Sequence, residues 1–311
     1  MLFRTLIDAA TLLRLLGTPP LGTARLAIID CRFDLMNPEA GRQAYLKAHL
    51  PGARYADLNR DLSAHITALS GRHPLPTREA FAERLTQLGI ANDTQVVAYD
   101  EANGSFAARL WWMLRWLGHD AVAVLDGGFQ AWIRDGGPLQ SGEAHESPAP
   151  DTSMPARPFV LRFDRAAGGG VALDGAAANA ITTADLERAI IQSAPRSPKP
   201  LLVDARAPER FAGAVEPIDP VAGHIPGAVN HPFSTNLAAD NRFLPPAQLR
   251  ARWLARLAGT TPENLIAMCG SGVTACHNLL SLEVAGLPGG KLYAGSWSEW
   301  IRDPRRPTAR G

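Results

Sequence analysis

Cysteine is scarce in this chain: Cys31, Cys269 and Cys276 are the only three among 311 residues. No two of them form a CxxC pair, so the sequence predicts neither a disulfide framework nor a zinc site. Few, unevenly spaced cysteines are compatible with a reducing compartment, and we expect a cytoplasmic protein. Clusters of metal-ligating residues and nucleotide-binding loops are also missing, so we expect no metal and no organic cofactor.

An excess of charge of one sign and a long apolar run are also missing. Lys and Arg number 31 against 30 Asp and Glu, which leaves a formal charge of +1 and no drive to bind a phosphate backbone. Near the N-terminus, Arg4, Asp8 and Arg14 interrupt the apolar residues. No stretch reaches the roughly 18 apolar residues that cross a bilayer. We therefore expect no nucleic acid and no membrane as partner and, without an unpaired apolar stripe, a monomer.

The chain does contain an internal repeat, in which one order of sequence segments occurs twice. The strand segments AIIDCR and LLVDAR, the turn segments HLPGA and HIPGA, and the later segments GGFQAWI and GSWSEWI follow in the same order. Three residue pairs mark the copies: Asp30 and Asp204, His49 and His224, Trp132 and Trp300. The members of these pairs are separated by 174, 175 and 168 residues. Chance similarity does not keep order and spacing in this way, so the sequence predicts a tandem duplication.

The duplication defines the expected domains. Residues 1–140 are predicted to form the first domain and residues 181–311 the second, with residues 141–180 as a linker that contains a Gly- and Ala-rich insertion at 164–180. Within each copy, short apolar strands such as VVAYD and LIAMC alternate with helical runs. This pattern is typical of parallel strands buried on both faces. We therefore predict an α/β fold with two tandem domains, each a central parallel sheet flanked by helices, and ligands beyond the carboxyl ends of the strands.

The strongest candidate for chemistry is Cys269, which ends the apolar strand LIAMC. Gly270 and Gly272 lie in the turn that follows, and a helix is predicted to begin near Thr274. Two glycines let the backbone curl so that several N–H groups converge on one point, and the helix N-terminus adds partial positive charge. Because such donors stabilise a thiolate, we expect Cys269 to be a reactive nucleophile.

The first copy is an internal control for this assignment. Its matching loop carries Asp100 and no thiol, so we expect the first copy to be catalytically inactive. Residues that recur in both copies are better explained by the fold than by chemistry. We therefore assign Asp204, His224 and Trp300 to the stability of the second copy.

The other two cysteines are weaker candidates for a reactive thiol. Cys31 directly follows a strand and Cys276 lies on the predicted helix, positions typical of small structural cysteines.

A thiol phosphatase would need an arginine six residues after its cysteine to bind phosphate. That position is Ala275, and CGSGVTA contains no basic residue, which argues against phosphatase activity.

Four segments, CGSGVTAC, GHIPGAVN, DARAPERF and YAGSWSEW, together resemble the tandem-domain rhodanese family of sulfurtransferases. The uncharged CGSGV loop resembles the mercaptopyruvate sulfurtransferase branch, since thiosulfate-type members carry basic residues directly after the cysteine. The resemblance covers both domains apart from the insertion. It implies two rhodanese-like domains and a reaction through a persulfide on Cys269. The sulfur would come from a small-molecule donor and pass to cyanide or to a thiol, such as that of a thioredoxin-like protein.

The resemblance also implies roles for further residues. Arg210, the arginine of the RF dipeptide, would bind the carboxylate of the donor, and Asp57 and His73 match first-domain positions that face the cysteine and assist proton transfer. Ser271 or His73 would protonate the pyruvate enolate that leaves. The loop residues implied to surround the sulfur, chiefly through backbone amides, are Gly270, Ser271, Gly272, Val273 and Thr274.

One segment departs from the mercaptopyruvate branch. That branch carries a second substrate arginine shortly after an EP dipeptide, and this chain has Ile218 at the corresponding place. We hypothesise that Arg72, adjacent to His73, substitutes for it. Mercaptopyruvate is the favoured donor, while thiosulfate as donor and a non-enzymatic persulfide carrier with the same fold remain as alternatives.

Overall fold

The computed structural model of the chain describes residues 2–17, 25–143, 158–161, 179–190 and 199–311. The chain divides into two compact units. The first unit comprises Met1–Ser63, Pro76–Asp174 and Ala239–Arg242, and the second comprises Ala64–Leu75, Gly175–Ala238 and Phe243–Gly311. Most of the expected linker and of its Gly- and Ala-rich insertion lies outside the described residues, at 144–157 and 162–178.

The first unit is built on a parallel sheet with the strand order β1-β5-β4-β2-β3. Its described strands are β1 (Leu6–Ile7), β2 (Arg25–Asp30), β3 (Arg54–Tyr55), β4 (Thr94–Tyr99) and β5 (Val122–Leu125). Its described α-helices are α1 (Ala9–Gly17), α2 (Glu39–Lys47), α3 (Arg78–Gln87), α4 (Ala107–Trp116) and α5 (Gly128–Arg134).

The second unit repeats this arrangement with the parallel order β6-β10-β9-β7-β8. Its described strands are β6 (Ala180–Ile181), β7 (Leu201–Asp204), β8 (Val229–Asn230), β9 (Leu265–Met268) and β10 (Lys291–Tyr293). Its described α-helices are α6 (Thr183–Ile190), α7 (Pro208–Phe211), α8 (Pro246–Leu257), α9 (Thr274–Val284) and α10 (Ser296–Trp300), and short 3₁₀ helices cover Phe233–Asn236 and Pro262–Asn264. The equivalent strand orders confirm the predicted α/β fold with two parallel sheets.

The central strands are covered on both faces, as their continuous apolar sequences predict. All six residues of β4 and all four residues of β9 are buried. Trp132 lies in the core of the first unit and Trp300 in that of the second, and each indole N–H donates to a backbone carbonyl at 2.9 Å. The helices that connect parallel strands pack on both faces of the sheet and so cover these strands. None of the helices that the structure describes is long and apolar enough to cross a membrane.

The repeated aspartates each hold an arginine at the end of the strand next to the central one. Asp30 at the end of β2 accepts hydrogen bonds from Arg32, and Asp204 at the end of β7 accepts them from Arg206 in the same geometry. Each arginine also donates to a backbone carbonyl, at 2.6 Å in the first unit and 2.7 Å in the second. These buried pairs tie the strand end to a neighbouring turn, which agrees with the structural role expected of Asp204.

A buried polar network in the second unit joins His231, Asn236 and Asn278. The ring Nε2 of His231 lies 3.0 Å from Asn236 Oδ1, and the Asn236 amide donates to Asn278 Oδ1 at 2.8 Å. Asn278 in turn donates to the backbone carbonyl of His231 at 2.9 Å. Burial lowers the pKa of His231 to about 4 from 6.5. The folded protein therefore keeps this histidine neutral at pH values where the unfolded chain protonates it.

We expect His231 to make stability fall with acidification. Between about pH 7 and pH 4 the unfolded state binds one more proton here, so the free energy of unfolding decreases by about 3 kcal/mol. Denaturant unfolding of the wild type and of His231→Gln across this range measures the contribution as the difference between two pH profiles. The variant is expected to have the shallower profile. Parallel profiles for the two proteins would contradict the assignment.

Candidate active site

Cys269 lies where the sequence predicts it, directly after β9 and before α9, which begins at Thr274. The residue is 2 % exposed, and its Sγ accepts a hydrogen bond from the backbone N–H of Gly272 at 3.1 Å. Val273, also buried, directly precedes the helix. The sulfur therefore accepts a loop N–H close to the N-terminus of α9.

The two loop glycines serve different purposes. Gly272 has φ of +75°, and a Cβ placed on it would lie 2.3 Å from the carbonyl oxygen of Ala294. No side chain fits there, so this glycine fixes the backbone that presents its N–H to the sulfur. A Cβ on Gly270 would instead lie 2.8 Å from Nη2 of Arg72. This glycine allows a guanidinium to come close to the loop.

Ser296, the first residue of α10, fixes the cysteine backbone. The Cys269 N–H donates to Ser296 Oγ at 3.0 Å, and the Ser296 hydroxyl donates to the Tyr293 carbonyl at 2.9 Å. Ser296 is fully buried and has φ of +53°, whereas the corresponding residue of the first unit is Gly128, with φ of +56°. A non-glycine residue in this conformation is strained and persists only where its surroundings hold it. The hydroxyl contact to Cys269 explains the serine, a role that the sequence comparison with Gly128 could have indicated.

The corresponding loop of the first unit is filled by its own side chain. Asp100, directly after β4, is buried, and its carboxylate accepts N–H groups from Gly104 at 2.9 Å, Phe106 at 2.8 Å and Ala107 at 3.1 Å. Burial raises the pKa of this carboxyl, while the three N–H groups act in the opposite direction. The same loop architecture thus holds a carboxylate in one copy and a thiol in the other.

His73 lies beside Ser271, with 2.7 Å between Nδ1 and Oγ, and both residues are buried. The sequence predicts His73 within the first domain, but the structure groups Ala64–Leu75 with the second unit. The segment is held there by backbone N–H groups: that of Arg72 donates to Ser298 Oγ at 3.1 Å. A hydroxyl and an imidazole at this distance can pass a proton between them.

Two arginines flank the loop next to Gly270. Measured to a Cβ placed on that glycine, Nη2 of Arg72 lies at 2.8 Å, and Nη2 and Nη1 of Arg210 lie at 3.6 and 3.7 Å. Their side chains are 21 % and 18 % exposed, so both remain reachable from solvent. Guanidiniums are hydrogen-bond donors whose geometry suits a small anion. The structure thus brings together Arg72 and Arg210, as the sequence hypothesis requires.

Two acids that the sequence does not single out hold these arginines. Glu216 accepts from Arg210 Nη2 at 2.7 Å and from its Nε at 3.2 Å. Asp219 forms an ion pair with Arg72 and accepts from Arg210 Nη2 at 3.2 Å. Ile218, between the acids, contributes its backbone N–H to Glu216 at 3.1 Å and no cation. The segment that lacks the expected arginine therefore supplies carboxylates that anchor two others.

The remaining predicted residues have structural contacts. Asp57 belongs to the first unit, where its Oδ1 accepts the N–H groups of Asn59 at 2.8 Å and Arg60 at 3.0 Å. Its part in proton transfer stays a prediction. The buried Cys276 donates to the Gly272 carbonyl at 3.3 Å, and no cysteine of the chain is in a disulfide. Among the described residues, no group of three or more His, Cys, Asp or Glu is arranged to hold a metal.

Comparisons with known proteins agree with the motifs. The model of the Rhodanese-like domain matches residues 8–135 and 184–303. A protein named "Probable 3-mercaptopyruvate sulfurtransferase" from Pseudomonas aeruginosa is 47% identical over 288 residues, which cover 92% of this chain and 93% of that protein. "Thiosulfate sulfurtransferase" from Bos taurus is 34% identical over 307 residues, 96% of this chain and 93% of that one.

A solved structure gives the same result. The 3-mercaptopyruvate sulfurtransferase from Leishmania major superposes with a TM-score of 0.75 at 29% sequence identity, over 97% of this chain and 76% of that one. The family match falls once in each copy of the duplicated unit. The resemblance stated from the four sequence motifs is thereby confirmed.

Proposed function

From the premise that this chain belongs to the rhodanese-like domain family and is a sulfurtransferase, we propose that Cys269 takes a sulfur from 3-mercaptopyruvate, carries it as a persulfide and passes it to an acceptor. The observation that carries this proposal is the contact of the Gly272 N–H with Cys269 Sγ at 3.1 Å, at a strand end where the side chain of the other copy, Asp100, likewise accepts loop N–H groups. A loop built to stabilise negative charge suits both a thiolate and a persulfide.

In the first half-reaction the Cys269 thiolate attacks the sulfur of the donor. A sulfur–sulfur bond forms, the bond between sulfur and C3 of the donor breaks, and its electron pair leaves as the pyruvate enolate. The proton that was on the donor sulfur ends on C3, which gives pyruvate. Ser271 and His73, 2.7 Å apart, are the relay that we assign to this transfer. Asp57 is proposed to assist it.

In the second half-reaction an acceptor attacks the outer sulfur of the persulfide. The sulfur–sulfur bond breaks, and its electron pair returns to Cys269 as a thiolate. The loop amides from Gly270 through Thr274 and the N-terminus of α9 would stabilise the anion before and after transfer. The acceptor is cyanide or a thiol, and a thioredoxin-like protein would supply such a thiol.

Arg72 and Arg210 are assigned to the carboxylate of the donor. Both guanidiniums lie next to Gly270, and a guanidinium presents a planar fork that matches a carboxylate. Arg72 would thus replace the arginine that is missing at Ile218. Thiosulfate is the second candidate donor, supported by relatives that carry its name.

Turnover with each donor tests the choice. The protein is incubated with cyanide and either 3-mercaptopyruvate or thiosulfate, and thiocyanate is measured. We expect kcat/KM to be at least about tenfold higher with mercaptopyruvate, because this loop has no basic side chain of its own for a dianion and holds a proton relay for an enolate. Equal or greater turnover with thiosulfate would overturn the substrate assignment. Persulfide formation without turnover would favour a carrier.

We also propose a cytoplasmic monomer. Cys31, Cys269 and Cys276 are buried and none forms a disulfide, which is compatible with a reducing compartment. No cofactor takes part in the proposed reaction, since a thiolate, a proton relay and two guanidiniums supply all of its steps.

A further inference from the structure

The arginines beside the loop belong to a cluster in which positive and negative charges are equal in number. The cluster contains Arg72, Arg206, Arg210, Asp204, Glu216 and Asp219. Asp204 pairs with Arg206, Glu216 contacts both Arg206 and Arg210, and Asp219 contacts both Arg72 and Arg210. With these groups ionised the formal sum is zero. The site beside Cys269 therefore offers guanidinium donors without a net positive charge.

Glu216 and Asp219 lie deeper than the two arginines beside the loop, Arg72 and Arg210. The side chains of Asp219 and Glu216 are each 3 % exposed, against 21 % for Arg72 and 18 % for Arg210. Asp219 takes the Nη1 edge of Arg72, while the Nη2 of Arg72 points to the loop at Gly270. An anion bound at the loop would thus contact the guanidiniums directly and would still be repelled by the buried carboxylate of Asp219 behind them.

The charge of the bound anion then decides how strongly Asp219 opposes it. Coulomb repulsion from a fixed carboxylate is twice as large for a dianion as for a monoanion in the same place, and burial weakens the screening. A thiol-bearing keto acid presents one negative charge at its carboxylate, whereas thiosulfate carries two. Asp219 therefore penalises thiosulfate more than mercaptopyruvate.

We propose that Asp219 is a specificity-determining residue, whose buried carboxylate, together with that of Glu216, leaves the pair Arg72 and Arg210 without net charge and thereby selects monoanionic over dianionic sulfur donors. The inference rests on the proposed function for its substrates. Glu216 is less suited to this role alone, because its carboxylate also accepts the backbone N–H groups of Ile218 and Asp219 at 3.1 Å and so holds the turn.

The test compares donors in matched variants. Asp219→Asn removes the charge and keeps the shape, Asp219→Glu keeps the charge, and Glu187→Gln removes a carboxylate from a different ion pair, with Arg306. We expect Asp219→Asn to raise the ratio of kcat/KM for thiosulfate to that for mercaptopyruvate by about tenfold. The two control variants should stay within about twofold of the wild type. An unchanged or lower ratio in Asp219→Asn would overturn the proposal.

A second readout does not require sulfur transfer. Sulfate as a dianion and pyruvate as a monoanion are each titrated for protection of Cys269 against alkylation by iodoacetamide. In Asp219→Asn, protection by sulfate should strengthen about tenfold relative to protection by pyruvate. If this shift occurs in a protein that transfers no sulfur, the proposed function fails and the charge assignment stands. If the wild type transfers sulfur and the variant shifts neither ratio, only the inference fails.

If Asp219→Asn does not fold, a variant that changes the charge of the cluster in the opposite direction tests the proposal. Arg72→Gln removes one cation from the same cluster and is expected to lower the sulfate-to-pyruvate protection ratio by about tenfold. A ratio that stays constant or rises in Arg72→Gln would contradict the role assigned to the net charge.

Discussion

Replacement of Cys269 by serine is expected to lower kcat at least about 10⁴-fold with either donor, because the variant has no atom that can carry the sulfur. A hydroxyl is a much weaker nucleophile than a thiolate at neutral pH. Serine is nearly isosteric, so the Gly272 N–H keeps an acceptor at the same place and the fold should be retained. Thiocyanate production and the unfolding midpoint of both proteins measure the two effects separately.

The matched control is Cys31→Ala, which removes a buried cysteine of the first unit. Burial raises the pKa of Cys31, so we expect this thiol to stay protonated and to take no part in the reaction. Its loss should leave kcat within about threefold of the wild type. Substantial residual activity in Cys269→Ser, or its loss in Cys31→Ala, would refute the assignment of the nucleophile.

Replacement of His73 by alanine has the second-largest expected effect, and the effect should depend on the donor. With mercaptopyruvate the leaving enolate needs a proton, so removal of the relay should lower kcat about 10²- to 10³-fold. With thiosulfate the leaving group is sulfite, which needs no such proton, and kcat should change less than about threefold. Steady-state kinetics with both donors on the same preparation measures the difference.

Ser271→Ala is the partner variant in this experiment. Because the hydroxyl lies 2.7 Å from His73 Nδ1, the two side chains should act as one unit. The double variant is then expected to lose little more activity than the more damaging single variant. Equal losses with the two donors would show that His73 supports the loop structurally and does not move a proton.

The fold could be predicted from the sequence because its pattern is encoded locally, and a local pattern also led to the proposal of Cys269 as the nucleophile. Continuous apolar strands predict parallel sheets buried on both faces, and the ordered landmarks predict a repeat. Both hold in the structure, where the two sheets have equivalent strand orders. Cys269 could be singled out as a candidate because a strand end, two glycines and a helix start lie within six residues, whereas the contact of its N–H with Ser296 is seen only in the folded chain.

The assignment of His73 to the first domain followed chain order, and chain order does not show long-range hydrogen bonds. The segment Ala64–Leu75 joins the second unit because its backbone donates to residues more than 220 positions later, such as Arg72 to Ser298. Asp219 was not predictable as a site residue for the same reason. In sequence it lies in a proline-containing turn, and only the folded chain places it against Arg72 and Arg210.

The central claim, a single persulfide on Cys269, is tested most directly by one turnover without acceptor. The protein is mixed with one equivalent of mercaptopyruvate, so that no free thiol remains as acceptor, pyruvate is quantified, and the intact mass and the modified residue are determined. We predict one equivalent of pyruvate and a gain of about 32 Da on Cys269 that a thiol reductant or cyanide removes, which distinguishes a persulfide from an irreversible sulfinic acid. No pyruvate without acceptor, or sulfur found on Cys31 or Cys276, would contradict the account.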